Sequence, residues 1–165
     1  MELSAKLEKA LNDQLNLELA SSYAYLGMAA WLASTPFTGF AKWMQLQSKE
    51  EVEHAEKFFE YLNDRGGKVV LQAIPQPKSK YASPLEVFEA SLGHEQKVSA
   101  SICKLYEAAL AEKDYPTMSF LKWFLDEQVE EEKNVSEVLA QLKLIGENTN
   151  GLFHLDKIAG KRAEG

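Results

Sequence analysis

Glu50-Glu51-Val52-Glu53-His54 and Glu127-Gln128-Val129-Glu130-Glu131 decide how this chain folds. The second stretch lies 77 residues beyond the first, and the same displacement carries Glu18 to Glu95. Each half of the chain therefore holds a lone glutamate followed, one helix later, by a polar pair at i and i+3. The pairs are Glu51 with His54 and Gln128 with Glu131. Residues three apart share a helix face, and all six side chains are oxygen or imidazole donors. Two half-sites of this kind are what a four-helix bundle needs to hold two metal ions between its helices.

Punctuation along the chain supplies the helices. Helical periodicity runs from about Ser4 to Ala33, stopped by Ser34-Thr35-Pro36, and from about Thr38 to Arg65, stopped by Gly66-Gly67. Ser83-Pro84-Leu85-Glu86 opens a third helix with a capping box and a proline at the first helical position. Asp114-Tyr115-Pro116 divides it from a fourth, which continues to Gly146. After Asn148-Thr149-Asn150-Gly151, an amphipathic run from Leu152 to about Ala159 makes a short fifth helix.

Between Gly66 and Ser83 the periodicity disappears and Pro75 and Pro77 occur. Extended at about 3.3 Å per residue, that segment reaches roughly 60 Å, whereas a helix of about 27 residues is only about 40 Å long. It can run the length of the bundle and leave the second and third helices parallel. The expected fold is all-α: a four-helix bundle with one long crossover and a short fifth C-terminal helix, built as one domain over residues 1–165.

Phase turns the donors inward. The first helix carries the stripe Leu7, Leu11, Leu15, Glu18, Ser22, Tyr25, Ala29, Leu32, and the second Phe40, Met44, Gln47, Glu51, His54, Phe58, Leu62. The third carries Phe88, Leu92, Glu95, Val98, Ile102, Ala109, and the fourth Phe124, Gln128, Glu131, Val135, Val138, Leu142. Each donor interrupts an apolar face near mid-helix. A carboxylate there is desolvated and needs a cation or a proton to compensate it. Glu18, Glu51, Glu95 and Glu131 supply four negative charges, matching two divalent cations.

Composition narrows the partners. A net charge of −7 argues against nucleic acid and anionic membrane as partners. Cys103 is the only cysteine, which excludes an intrachain disulfide and a Cys-x-x-Cys metal site, and on the third helix it reads as a small hydrophobe. Charges stand where a signal peptide has its apolar region, and no stretch is apolar for long enough to span a bilayer, so cytoplasm is the default expectation. Carboxylates with one imidazole and no thiolate disfavour structural zinc, and magnesium and calcium seldom use histidine, leaving iron or manganese. The plain readings elsewhere are packing for Trp43, Trp123 and Phe124, a core aromatic for Tyr25, a surface or interface position for His94 and His154, and a solvated helix face for Glu50, Glu53, Glu127, Glu130 and Glu132.

Asn16-Leu17-Glu18, Glu50-Glu51-x-x-His54, Phe120-Leu121-Lys122-Trp123, the acidic run from Glu127 to Glu132 and the late Leu155-Asp156-Lys157 together resemble the prokaryotic non-haem ferritins. The resemblance covers essentially the whole chain from Leu7 to about Lys161. It implies that Glu18, Glu51, His54, Glu95 and Gln128 are ligands of a di-iron ferroxidase centre, with Glu51 bridging the irons and Tyr25 beside them. It implies a third iron site from Glu50, Glu127 and Glu130 together with Glu131. It further implies Fe(II) oxidation by dioxygen or peroxide, and ferric oxyhydroxide stored in a hollow homo-oligomer of about 24 subunits with octahedral symmetry. Bacterioferritins carry a second Glu-x-x-His pair where this chain has Gln128 and Glu131, and a haem-ligating methionine where it has Val52, so no haem is expected. The acidic threefold pores of animal ferritins correspond to positions near Met118 and Leu121, which points to another route for iron into the shell. Outside storage, the same ligand set would suit a di-iron peroxide reductase or a metal buffer.

Overall fold

The computed structural model describes residues 2–161, so the outermost ends of the expected 1–165 domain lie outside the described residues. Five helices follow in order: α1 (Ala5–Ala33), α2 (Thr38–Asp64), α3 (Pro84–Ala111), α4 (Tyr115–Ile145) and α5 (Thr149–Lys161). Their beginnings follow the capping chemistry in the sequence. Ser4 accepts from the Leu7 N–H at 3.1 Å, Ser83 from Glu86 N–H at 3.3 Å with Pro84 in the first turn, and Asp114 from Thr117 N–H at 3.0 Å. Helix α5 starts at Thr149, three residues ahead of its expected start at Leu152, because Asn148 caps it by accepting from Gly151 N–H at 3.0 Å.

Helix α1 packs on α2 and α3 on α4, as two hairpins joined by the crossover. The crossover lies along α1 and is held there by a ladder made from two asparagines. Asn12 donates to Lys68 O at 2.8 Å and accepts from Val70 N at 2.7 Å; one turn on, Asn16 donates to Val70 O at 2.8 Å and accepts from Gln72 N at 2.7 Å. Each amide thus serves the donor and the acceptor that the extended backbone leaves unpaired. Farther up, Gly27 lets the segment pass closely: a Cβ there would sit 3.1 Å from Pro77 and 3.2 Å from the Lys78 carbonyl. The ring of Trp31 then meets Tyr81 at 5.6 Å. Contacts advance along α1 as the crossover advances, so α3 starts at the end of the bundle where α1 finishes and runs parallel to α2, as the loop length requires.

The core is in two parts. One apolar cluster gathers Leu7, Leu11, Phe58, Leu62, Ile102, Leu121 and Phe124 around the start of α1. The other gathers Met28, Leu32, Phe40, Met44, Phe88, Val135 and Leu142 around its end, with Leu155 and Ala159 of α5. Between them lie the six buried donors Glu18, Glu51, His54, Glu95, Gln128 and Glu131. Leu121 is fully buried in the first cluster.

Candidate metal centre

The four stripes converge as their phase requires, with all six donors almost entirely withdrawn from solvent. Glu18, Glu51 and His54 come together most tightly: one ligand atom from each lies within 4.8 Å of the others. His54 Nδ1 stands 3.6 Å from Glu51 Oε2, and the imidazole edge packs against Trp123 and Phe124. On the opposite hairpin, Gln128 Nε2 donates to Glu95 Oε2 at 3.1 Å. Glu95 Oε1 also accepts from the buried Tyr25 hydroxyl, which lies 3.0 Å from Ser91 Oγ.

Burial sets the protonation of the group. It pushes the Glu18 carboxyl well above the usual carboxylate range, and the neighbouring Glu51 charge pushes it further. Glu51 is raised by burial and then by the charge on Glu95. Glu95 is raised by burial, opposed chiefly by the Tyr25 hydrogen bond. Tyr25 is itself raised, by burial and by the Glu95 charge, which keeps its proton in place as a donor.

Three buried side-chain oxygens among the described residues, Glu18 Oε2, Gln47 Oε1 and Glu51 Oε2, accept from no N–H or hydroxyl donor, and the Glu18 and Glu51 carboxyls lie close enough to share a proton. Unsatisfied carboxylate oxygens in a dry interior are costly, and a divalent cation compensates them by displacing the retained protons. The donor set fits iron: hard carboxylate oxygens, one imidazole and an amide, without sulfur.

The expected third group is less closely gathered. Glu50 and Glu127 are half-buried and Glu130 is exposed. Glu50 is near enough for its charge to raise Glu51, yet among the described residues only the Glu18, Glu51 and His54 set brings three His, Cys, Asp or Glu ligand atoms within 4.8 Å. His94, expected at the surface or at an interface, has partners within the subunit. It is half-buried, its Nε2 is 2.7 Å from Ser21 Oγ, and its ring meets Tyr25 edge-on. Ser21 Oγ also lies 2.8 Å from Leu17 O. Cys103 is exposed and Trp123 is 41 % exposed, so neither is a core side chain.

Sequence reasoning missed the groups that hold the ligands. Gln14 Nε2 donates to Glu18 Oε1 at 2.7 Å. Gln47, read as part of a stripe, donates to Glu131 Oε2 at 2.7 Å. A signal was present for Gln14, which stands four residues before Glu18 on the same helix face; Gln47 reaches across to another helix, and no local spacing announces it.

The family profile described as Ferritin-like domain matches residues 8–145. A bacterial non-heme ferritin of Staphylococcus aureus is 43% identical over 160 residues, covering 97% of this chain and 96% of the relative. The chain belongs to the prokaryotic non-haem ferritins. This ferritin is also 42% identical over 158 residues to a probable bacterial non-heme ferritin-like protein of Haemophilus influenzae, covering 96% of each. Among solved structures it superimposes on the open pore ferritin of the archaeon Archaeoglobus fulgidus with a TM-score of 0.95 and 43% identity, covering 96% of this chain and 98% of that one. A form of the same archaeal ferritin engineered to close gives the same TM-score and identity. The two-hairpin bundle with its crossover is therefore the ferritin fold.

Proposed function

We propose that this ferritin stores iron, and that it does so by oxidising Fe(II) at a dinuclear centre inside each subunit and depositing ferric oxyhydroxide within a closed homo-oligomeric shell. Iron is both substrate and cargo. One Fe(II) is held by Glu18, Glu51 and His54, the second by Glu51, Glu95, Gln128 and Glu131, with Glu51 between them. The observation that carries the reading is the buried Glu18, Glu51 and His54 set with its two oxygens that accept from no N–H or hydroxyl donor. Each iron loses one electron to dioxygen. The chain supplies charge and geometry, and the metal does the redox work. Tyr25, held on Glu95, is the buried phenol beside the reacting pair.

Glu50, Glu127 and Glu130, with Glu131, form a weaker third site through which iron passes or from which a further electron comes; the site grades from buried Glu131 through half-buried Glu50 and Glu127 to exposed Glu130, which suits transit better than retention. Storage also needs an enclosed volume, which we assign to about 24 copies in octahedral arrangement. No described helix is long and apolar enough to cross a membrane, consistent with a particle free in the cytoplasm.

Aerobic loading with Fe(II), followed by oxygen uptake and small-angle scattering, tests the proposal. The expected result is rapid oxygen consumption and a hollow sphere that retains many irons per subunit. A monodisperse monomer or dimer at micromolar concentration would overturn storage and favour the peroxide reductase. Iron binding without oxygen uptake would leave only a buffer.

A further inference from the structure

Gln14 and Ser101 are outside the proposed ligand set, yet they join it in one chain of hydrogen bonds, buried at Gln14 and Glu18 and partly buried at Ser101. Gln14 is almost completely buried, with 2 % of its surface exposed. Its Nε2 donates to Glu18 Oε1 at 2.7 Å, and its Oε1 accepts from the Ser101 hydroxyl of α3 at 2.6 Å. Once Glu18 is ionised, as it must be to hold a cation, the amide can face only this way, because its oxygen would otherwise meet the carboxylate oxygen. In this orientation Glu18 Oε1 is committed to Gln14, while Oε2 accepts from no N–H or hydroxyl and is left to the Glu51 side of the site.

Resting on the dinuclear reading above, we infer that the Ser101–Gln14 pair is a positioning device for Glu18. It fixes the carboxylate so that one oxygen faces the metal, and it ties that geometry to α3, the helix of the opposite hairpin. The asymmetry between the carboxylates supports this. Glu95 has both oxygens engaged, by Tyr25 and by Gln128, whereas the anchoring of Glu18 leaves one oxygen without an N–H or hydroxyl donor. Hydrogen-bonded partners of ligands commonly set metal affinity by 10–100-fold.

The test is titration of the full-length apo protein with Co(II) at neutral pH, followed by its visible absorption, beside the KM and kcat for Fe(II) oxidation. Gln14→Leu should weaken Co(II) binding by about 10-fold and raise KM for Fe(II) more than it lowers kcat. Ser101→Ala should weaken binding by roughly 3-fold, and Ser101→Thr, which keeps the hydroxyl, should restore it. Parental Co(II) affinity in a folded Gln14→Leu protein overturns the inference; if that variant does not fold, parental affinity in Ser101→Ala does so. Glu18→Ala separates the two readings. If it binds Co(II) as the parent does, the dinuclear reading fails; if it loses the site while Gln14→Leu and Ser101→Ala keep parental affinity, only the positioning role fails.

Discussion

Asp156, in the last helix, accepts the backbone N–H of Phe40 at 2.7 Å across a separation of 116 residues. Helix α2 has no side-chain cap of its own, since Phe37 stands at its N-cap position, and Asp156 performs that service from α5. The two helices come close enough that a Cβ on Gly39 would fall 1.8 Å from the Asp156 carbonyl oxygen. Helix α5 therefore buries part of its apolar face within its own subunit. Leu155 and Ala159 are buried within their own chain, while Phe153 and Ile158 remain 45 % and 49 % exposed.

Replacing Asp156 by alanine should lower subunit stability by about 1–2 kcal/mol, the worth of a helix cap. Asp156→Asn should cost less, because asparagine accepts at an N-cap nearly as well. Gly39→Ala should be worse than either, because the added methyl meets backbone and α5 must move. Denaturant unfolding of the three variants ranks them, and equal stabilities would remove the capping role. Deleting residues from Gly151 onward should keep the bundle but impair assembly or iron retention, read by scattering and iron content.

Apo stability should fall as pH rises from mildly acid to neutral. Glu18, Glu51 and Glu95 hold their protons above the usual carboxylate range in the folded chain. Folded protein therefore binds more protons than unfolded protein between the unfolded value, about 4.3 for Glu, and the raised folded values. Their stabilising share is complete below that unfolded value and is lost as pH rises through the folded ones. Added Co(II) or Zn(II) should restore the melting temperature at neutral pH. Metal-insensitive melting there would count against a preformed site.

Glu51→Gln should abolish fast Fe(II) oxidation while stabilising the apo subunit, by on the order of 1 kcal/mol, because it removes a buried charge facing other carboxylates. Glu18→Ala and His54→Ala should lose the fast phase as well with helicity kept. Stopped-flow oxidation and circular dichroism give the two readouts, and a parental rate in any of these variants removes that residue from the centre.

Glu130→Ala should keep the first oxidation phase and change the ratio of iron oxidised to oxygen consumed. Glu130 is exposed and two positions from Gln128, on another face of α4, so its loss leaves the buried donors intact. If both phase and ratio match the parent, Glu50, Glu127 and Glu130 are a solvated face and nothing more.

Arg65 and Asp114 make a bidentate pair at 2.9 and 2.7 Å where α2 ends and α4 begins. The Arg65 guanidinium holds the Asp114 carboxyl down at about 2. This contribution is present above the unfolded Asp value, about 3.9, and is lost only as pH falls through about 2. Asp114→Ala removes both the pair and a cap, and should cost about 3 kcal/mol in neutral-pH unfolding.

What the sequence disclosed was whatever repeats along it. The helical period and the 77-residue displacement identified Glu18, Glu51, His54, Glu95, Gln128 and Glu131 as inward-facing, and all six are buried. What stayed hidden depends on pairings between distant segments. Asn12 and Asn16 look like ordinary helix polar residues until the crossover lies against them. Asp156 looks like one more charge until α5 folds back on α2. The partner of His94 was hidden for the same reason, since Ser21 is 73 residues away.

Two oily halves joined through a charged waist give the subunit an unusual distribution of rigidity. Bundles ordinarily fray at their tips and are tightest at mid-length; here mid-length is where the carboxylates of Glu18, Glu51 and Glu95 press on one another. In the absence of cations, backbone amides around Glu18 and Glu51 should therefore exchange with solvent sooner than those near Leu11 or Phe88. On the proposed function iron would then act as a buckle as well as cargo, and each oxidation cycle would alternately fasten and loosen the middle of the subunit.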